Sequence, residues 1–493
     1  MSGDFIALVH PKGAKCSVRF LTTVGQEPQM NSSSIAGIIL AAGKGTRMKS
    51  ELPKGLHRVC GIPMVEHVAR AMKAAGVERP IIVIGHGGDL IREALGESYD
   101  YAWQHEQLGT GHAALMAKDF LVDHKGPVIV AAGDTPLLQA ETFVELCEAH
   151  QSAKATVTLS TSILEDPKGY GRIVRDDMGN PAKIVEEKDA SPEEKAIREI
   201  NVALYCFDCP TLFSILPSLS NTNAQGEYYL TDVLEVVKNQ GGVLAAKIFD
   251  DPEITVGVND RWQLALADRE MRLRILKKHA LNGVTLGNID TISIGVDVTI
   301  GPDTVIDSAT LLVGSTSIGS GCKIGPYTRI ENSSIGDRSS IIASYVDRAV
   351  VGSEVWVGPY AHLRPKANLA DGSKAGNFVE IKNANLGPGA KVNHLSYIGD
   401  ATVGEETNIG AGTITCNYDG YHKHQTQIGA NAFIGSHSTL VAPVRIGTGA
   451  IVAAGSVITH DVPDEAGAFG RARQETKEGW AARWRKIKKS GSC

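Results

Sequence analysis

The sequence predicts an α/β domain joined by a helical connector to a parallel β-helix. Three observations predict it: aliphatic runs alternating with amphipathic stretches in the first half, a six-residue aliphatic-Gly period in the second, and 53 glycines in 493 residues. The usual share of about 7% would give roughly 35.

GIILAAG at 37–43, PIIVIGHG at 80–87 and GPVIVAAGD at 126–134 read as buried parallel strands, with helices at 64–75 and 141–149 between them. Residues 35–258 thus form an α/β domain around a mostly parallel sheet. Residues 259–282 hold good helix formers with apolar positions at i, i+3 and i+4 and stop at Asn282-Gly283, the pattern of a helical linker. From 283 to 493 the texture changes. Ile294-Gly295 and Ile300-Gly301, Ile318 and Ile324, Val351 and Val357, Val403 and Ile409, and Ile428 and Ile434 are five couples spaced by six, each aliphatic residue followed by Gly. Repetition of this kind marks a β-helix whose coils bury aliphatic residues by stacking, with Gly allowing tight corners. The rhythm breaks at 412–427, GTITCNYDGYHKHQTQ, where binding residues are expected.

A net charge of −6 gives no broad electrostatic footprint for nucleic acid or an anionic membrane. No apolar stretch approaches the roughly 20 residues that span a bilayer. The first 34 residues lack the features of a secretory signal and read as a flexible extension, with Met30 an alternative start. Eight scattered cysteines do not make a disulfide framework, which points to the cytoplasm, and Cys206 and Cys209 read as ordinary thiols. A small soluble substrate is expected.

The first strand runs into Gly43-Lys44-Gly45-Thr46-Arg47-Met48 and on to Leu52-Pro53-Lys54. GxG alone reads as a tight strand-to-helix turn; with Arg47 and Lys54 it becomes a cradle in which backbone N–H groups and two cations meet phosphate. LAAGKGTRMKSELPK resembles the signature of the sugar-phosphate nucleotidylyltransferases, whose domain is Rossmann-like. The resemblance implies that Leu40, Ala41, Gly43 and Lys54 line the nucleotide and that Gln104, Gly109 and Thr110 read uracil. It also implies that Gly171, Glu186 and Asn201 hold an N-acetylhexosamine, and that Asp134 and Asn259 hold Mg²⁺. The implied reaction is attack of a sugar 1-phosphate on the α-phosphorus of UTP, with Arg47 and Lys54 carrying the charge stabilisation.

The second half carries HLRP at 362–365, GNFVEIK at 376–382, NHLSY at 393–397, NIGAG at 408–412 and TCNYDG at 415–420. With the first half, these resemble a family of bifunctional enzymes that couple glucosamine-1-phosphate acetyltransferase to N-acetylglucosamine-1-phosphate uridylyltransferase. Its β-helix is left-handed, and the resemblance covers residues 35–480. His394 is then the general base that frees the amine's lone pair, since histidine ionises near neutral pH, and Glu380 is placed to orient it. Arg364, Lys382, Tyr397, Asn408 and Lys423 are implied for the sugar phosphate, and Asn417 for the amine at the acetyl-CoA end. Tyr418, Ser436, Ala454 and Arg471 are implied for acetyl-CoA, and the Ala411 backbone for the oxyanion. Such acyltransferases usually form homotrimers that complete each site between neighbours, with Lys423 acting in trans. The expected function is two-step synthesis of UDP-N-acetylglucosamine from glucosamine 1-phosphate, acetyl-CoA and UTP, with no nucleic acid or membrane partner. The alternative is a single-activity nucleotidylyltransferase whose β-helix is a scaffold.

Overall fold

The computed structural model describes residues 35–251 and 257–489. The extension expected at 1–34 lies outside the described residues. The described chain forms two compact units, one of residues 35–43, 68–133 and 138–251, the other of 44–67, 134–137 and 257–489.

The first unit is built on a sheet ordered Leu244–Ile248, Val157–Ile163, Glu199–Asp208, Pro127–Ala132, Ala36–Leu40, Ile81–Ile84 and Asp100–Trp103. All neighbours are parallel except Glu199–Asp208, which runs antiparallel to both of its own. That strand is the departure from the expected parallel order, and its register shifts between Asn201 and Tyr205. Ile38, Ile39, Ile81 to Ile84 and Val128 to Ala131 are buried, because helices cover both faces of such a sheet and leave its strands no polar side. A side hairpin pairs Arg172–Arg175 with Pro181–Val185.

The second unit is a left-handed parallel β-helix of three sheets with 11, 10 and 9 short strands. One inward column runs Ile294, Leu312, Ile330, Val346, Leu363, Ile381 and Ile398, each paired with the next coil and buried. A strand of two or three residues cannot stand alone, so burial of this column is what holds each coil to the next. Buried hydroxyls close the polar accounts of the corners: Thr304 donates to the Gly319 carbonyl at 2.8 Å and accepts from the Cys322 N–H at 3.0 Å.

Of the glycines in the six-residue pairs, Gly325 and Gly358 use the expected freedom at φ 99° and 98°, but most repeat glycines have another reason. A Cβ on Gly336 would lie 2.5 Å from the Gly352 carbonyl carbon, and one on Gly429 would lie 2.5 Å from the Thr448 nitrogen. They permit close stacking of coils, while the left-handed corner position is often filled by other residues, such as Asp303, Arg338 and Glu354. The expected break is present: Lys391 pairs with Asn408, but Asn408 pairs with Phe433, and the extra residues form a loop closed by an antiparallel bridge between Tyr418 and Lys423.

Within the same unit, the helix Arg261–Leu281 is capped by the Asp260 side chain, which accepts from the Gln263 N–H at 2.8 Å, and ends at Asn282 before Gly283 with φ 90°. Ala267 packs with Met48, Val59, Met64, Leu137 and Val258 in a small core shared with the Gly-rich loop. Among the described residues, no helix is long and apolar enough to cross a membrane.

Candidate active sites

Two short 3₁₀ turns, Thr46–Met48 and Lys54–Leu56, present the cations of the Gly-rich loop. Gly45 stands at φ 60°, where a Cβ would lie 2.7 Å from the Lys54 Cβ, so only glycine lets the turns approach. Arg47 donates to Asn259 Oδ1 at 2.8 Å and Lys54 Nζ to the same oxygen at 2.9 Å. Lys54 also pairs with the Asp134 carboxylate. Four residues from three segments far apart in sequence therefore meet in one cluster of two cations and two oxygen donors. The Val258 N–H donates to the Asp134 carbonyl at 2.9 Å, tying the two oxygen-bearing segments together.

In the first unit, Leu40 ends a central strand, Ala41 and Gly43 follow it, and nothing lies within 4 Å of a Cβ built on Gly43. Gln104 is buried and donates to the Gly109 carbonyl at 3.1 Å. Gly109, at φ 114°, abuts the Tyr228 backbone, and Thr110 Oγ1 accepts from the Leu230 N–H at 3.0 Å. The hairpin and the shifted strand bring Gly171, Glu186 and Asn201 together: Asn201 N–H donates to the Gly171 carbonyl at 2.9 Å, and a Cβ on Gly171 would stand 3.5 Å from both Glu186 oxygens. Burial, then the charges of Asp189 and Asp232, pushes the Glu186 carboxyl above the ordinary range.

On the β-helix, one column climbs the corner between two sheets. Leu395 N–H donates to the Asn377 carbonyl at 3.0 Å, Gly412 to His394 at 3.3 Å, His437 to Ala411 at 2.7 Å and Gly455 to Ser436 at 2.8 Å. Asn377, His394, Ala411, Ser436 and Ala454 thus occupy equivalent places on successive coils, and the residues assigned to acetyl-CoA stack above the candidate base. Tyr418 and Arg471 are exposed, and Tyr418 closes its loop by donating to the Gly420 carbonyl at 2.6 Å.

On the adjoining sheet, His362, Glu380 and Tyr397 share one register, and Arg364, Lys382 and Gly399 follow along it. The charges of Lys423 and then Arg364 hold the Lys382 ammonium below its ordinary pKa, so the three cations face one another within a single chain. Lys423, which was expected to act in trans, lies close to Lys382 of its own chain. Glu380 was expected to orient His394. It instead accepts from Arg364 at 2.7 Å, and the residue bonded to His394 Nδ1 is Asn377, through Oδ1 at 2.7 Å. The reason is the coil period: Asn377 lies directly below His394 in register, while Glu380 is on the next sheet. Asn408 does not join the cations, standing on another sheet between Lys391 and Phe433. Asn417 is buried and donates its amide to Asp400, which also accepts from Asn383.

Residues 37–185 match the MobA-like NTP transferase domain, and 425–460 match the bacterial transferase hexapeptide family. The chain is 50% identical over 446 residues to Bifunctional protein GlmU of Heliobacterium modesticaldum, covering 90% of this chain and 97% of that one. It is 51% identical over 453 residues to Bifunctional protein GlmU of Geobacillus thermodenitrificans, covering 92% and 99%, and 49% identical over 441 residues to that of Halalkalibacterium halodurans, covering 90% and 97%. The chain belongs to the bifunctional GlmU family.

The hydrogen bonds bring in two residues not named from the sequence, Asn377 and Asp400. Asn377 was within a quoted motif, and counting one coil back from His394 finds it. Asp400 gives no local signal, because its role comes from burial beside two amides that sit one coil away on either side. Cys206 lies 3.9 Å from Cys147, both buried, and burial raises the Cys209 thiol to about 11; among the described residues, no group of three or more His, Cys, Asp or Glu could hold a metal.

Proposed function

We infer that this chain makes UDP-N-acetylglucosamine in two steps, acetylating glucosamine 1-phosphate with acetyl-CoA and then joining the product to UTP with release of pyrophosphate. The observation that carries this reading is the presence in one chain of two separate chemical clusters, Arg47-Lys54-Asp134-Asn259 and His394 with its column and cations.

In the first step, Arg364, Lys382 and Lys423 hold the sugar phosphate beside Tyr397. Asn377 Oδ1 accepts a hydrogen bond from His394 Nδ1–H, leaving the Nε2 lone pair to remove the proton of the attacking amine. The amine nitrogen bonds to the acetyl carbon, the Ala411 N–H steadies the oxyanion, and the C–S bond breaks to release CoA thiol. Ser436, Ala454, Tyr418 and Arg471 line the CoA, and Asn417, fixed by Asp400, faces the amine.

In the second step, a phosphate oxygen of N-acetylglucosamine 1-phosphate attacks the α-phosphorus of UTP and pyrophosphate leaves. Arg47 and Lys54 neutralise the developing charge, and no protein nucleophile is needed. Leu40, Ala41 and Gly43 line the nucleotide. Gln104, Gly109 and Thr110 take the uracil, and Gly171, Glu186 and Asn201 take the sugar. The Asp134 carboxylate and Asn259 amide oxygen, which converge on one ammonium, are the hard oxygen donors that Mg²⁺ prefers, and two protein ligands suit an ion completed by phosphate and water. Bound there, Mg²⁺ supplies charge neutralisation to the triphosphate.

A homotrimer is part of the proposal. Tyr327, Tyr360, Phe378 and Leu395 are 75%, 62%, 55% and 62% exposed along the corner that carries His394, and Asn408 stands on a face away from its own cations. A second copy against that corner would cover the apolar ridge and supply Asn408. The free cysteines among the described residues and the small-molecule substrates support a cytoplasmic reading. The test supplies each substrate pair separately. Glucosamine 1-phosphate with acetyl-CoA should release thiol, and N-acetylglucosamine 1-phosphate with UTP and Mg²⁺ should release pyrophosphate; absence of thiol leaves the β-helix a scaffold.

A further inference from the structure

Arg47 and Lys54 act on the same phosphates in the proposed reaction, yet they sit on separate turns joined by the exposed stretch Lys49 to Leu52. Their side chains meet at Asn259 Oδ1, which cannot fix them while also holding a metal ion and yielding to substrate. Something else must set the spacing of the two turns.

Arg261 is placed to do so. Two residues beyond Asn259, it donates from Nε to the Met48 carbonyl at 3.1 Å and from a terminal nitrogen to His57 Nδ1 at 3.1 Å. Met48 adjoins Arg47 and is buried, and His57 closes the turn begun by Lys54, its N–H donating to the Lys54 carbonyl at 3.2 Å. One planar guanidinium thus spans both turns, with its backbone anchored in the helix that begins beside Asn259. The same helix reaches the Asp134 segment through Arg274, which donates to the Leu137 carbonyl at 2.6 Å. Because a guanidinium only donates, the bond to His57 requires a neutral imidazole with its lone pair on Nδ1. Burial, and then the Arg261 charge, lowers the His57 pKa and favours that state.

We propose that Arg261, seated on His57 and the Met48 carbonyl, is a positioning residue for uridylyl transfer that holds Arg47 and Lys54 at the separation the transition state needs. The inference rests on the uridylyl-transfer reading of this loop. Neither Arg261 nor His57 needs to touch substrate. A displacement of about 1 Å of groups stabilising a transition state costs on the order of 100-fold in rate.

The second activity of the chain is an internal control for folding. Thiol release and pyrophosphate release are measured on wild type, Arg261→Met, Arg261→Lys, His57→Asn and His57→Leu. In Arg261→Met and His57→Leu, kcat for pyrophosphate release should fall about 10- to 100-fold, KM for N-acetylglucosamine 1-phosphate should change less than about threefold, and thiol release should be kept. Arg261→Lys, which reaches one acceptor, should be intermediate, and His57→Asn, whose amide oxygen replaces the Nδ1 lone pair, should restore most of the rate. Near-wild-type kcat in Arg261→Met overturns the inference, as does a parallel loss of both activities, which marks a general structural role. If wild type itself releases no pyrophosphate, it is the uridylyl-transfer reading that has failed.

Discussion

Asn377 and His394 are Cα partners on successive coils, and the Asn377 Oδ1 accepts the His394 Nδ1 proton at 2.7 Å. This bond fixes both the ring plane and the tautomer, so the lone pair needed for proton removal is on Nε2. Asn377→Ala should lower kcat for thiol release by about 10- to 100-fold while leaving pyrophosphate release unchanged. Glu380→Gln should act differently: it loosens Arg364, so its main effect is a higher KM for glucosamine 1-phosphate. Steady-state kinetics of both variants separates the two roles.

The cation cluster predicts an alkaline limb. With Lys423 and Arg364 holding its pKa down, Lys382 loses its proton earlier than an ordinary lysine as pH rises, and KM for glucosamine 1-phosphate should climb accordingly. Lys423→Met removes the largest cause. It should raise KM at neutral pH by about 10-fold or more and move the alkaline rise to higher pH. A KM profile across pH checks both.

Glu186 carries the opposite kind of shift. Its folded-state pKa lies above the ordinary carboxylate value, so the native state holds the proton more firmly than the unfolded chain. The associated stability is present below the ordinary pKa and is lost as pH rises through the folded value. Glu186→Gln should therefore melt at a higher temperature than wild type at pH 7, a difference that vanishes in acid. The same variant should show a raised KM for N-acetylglucosamine 1-phosphate. Thermal melts at two pH values test the first claim and kinetics the second.

Gly109 is a position where any side chain must fail. At φ 114°, a Cβ would stand 2.6 Å from the Tyr228 carbonyl oxygen and 2.7 Å from its nitrogen. Gly109→Ala should cost about 1–3 kcal/mol in stability and raise KM for UTP, with thiol release intact. Denaturant melts and UTP saturation curves measure these.

Much of this was legible in the sequence because it is periodic or local. The six-residue couples specify the coil, and GKGTRM with PK marks the two turns whose Arg47 and Lys54 meet at Asn259. What was not legible depends on which residues stack one coil apart. A motif read along the chain puts Glu380 near His394, while the coil puts Asn377 there, and the same folding back returns Lys423 to Lys382. The antiparallel strand Glu199–Asp208 escaped notice because a strand buried on both faces shows the same aliphatic run in either direction. The repeat glycines were seen, but their close approach to the next coil's backbone, as at Gly336 and Gly352, needs three dimensions.

The central claim is that two chemistries reside in two clusters of one chain. It is tested most directly by recording free thiol and pyrophosphate in one reaction of glucosamine 1-phosphate, acetyl-CoA, UTP and Mg²⁺, for wild type, His394→Ala and Asp134→Ala. Wild type should release both. Asp134→Ala should release thiol alone, and His394→Ala should release neither until N-acetylglucosamine 1-phosphate is added, which should restore pyrophosphate alone. Full thiol release by His394→Ala, or pyrophosphate release by Asp134→Ala at the wild-type rate, would contradict the account.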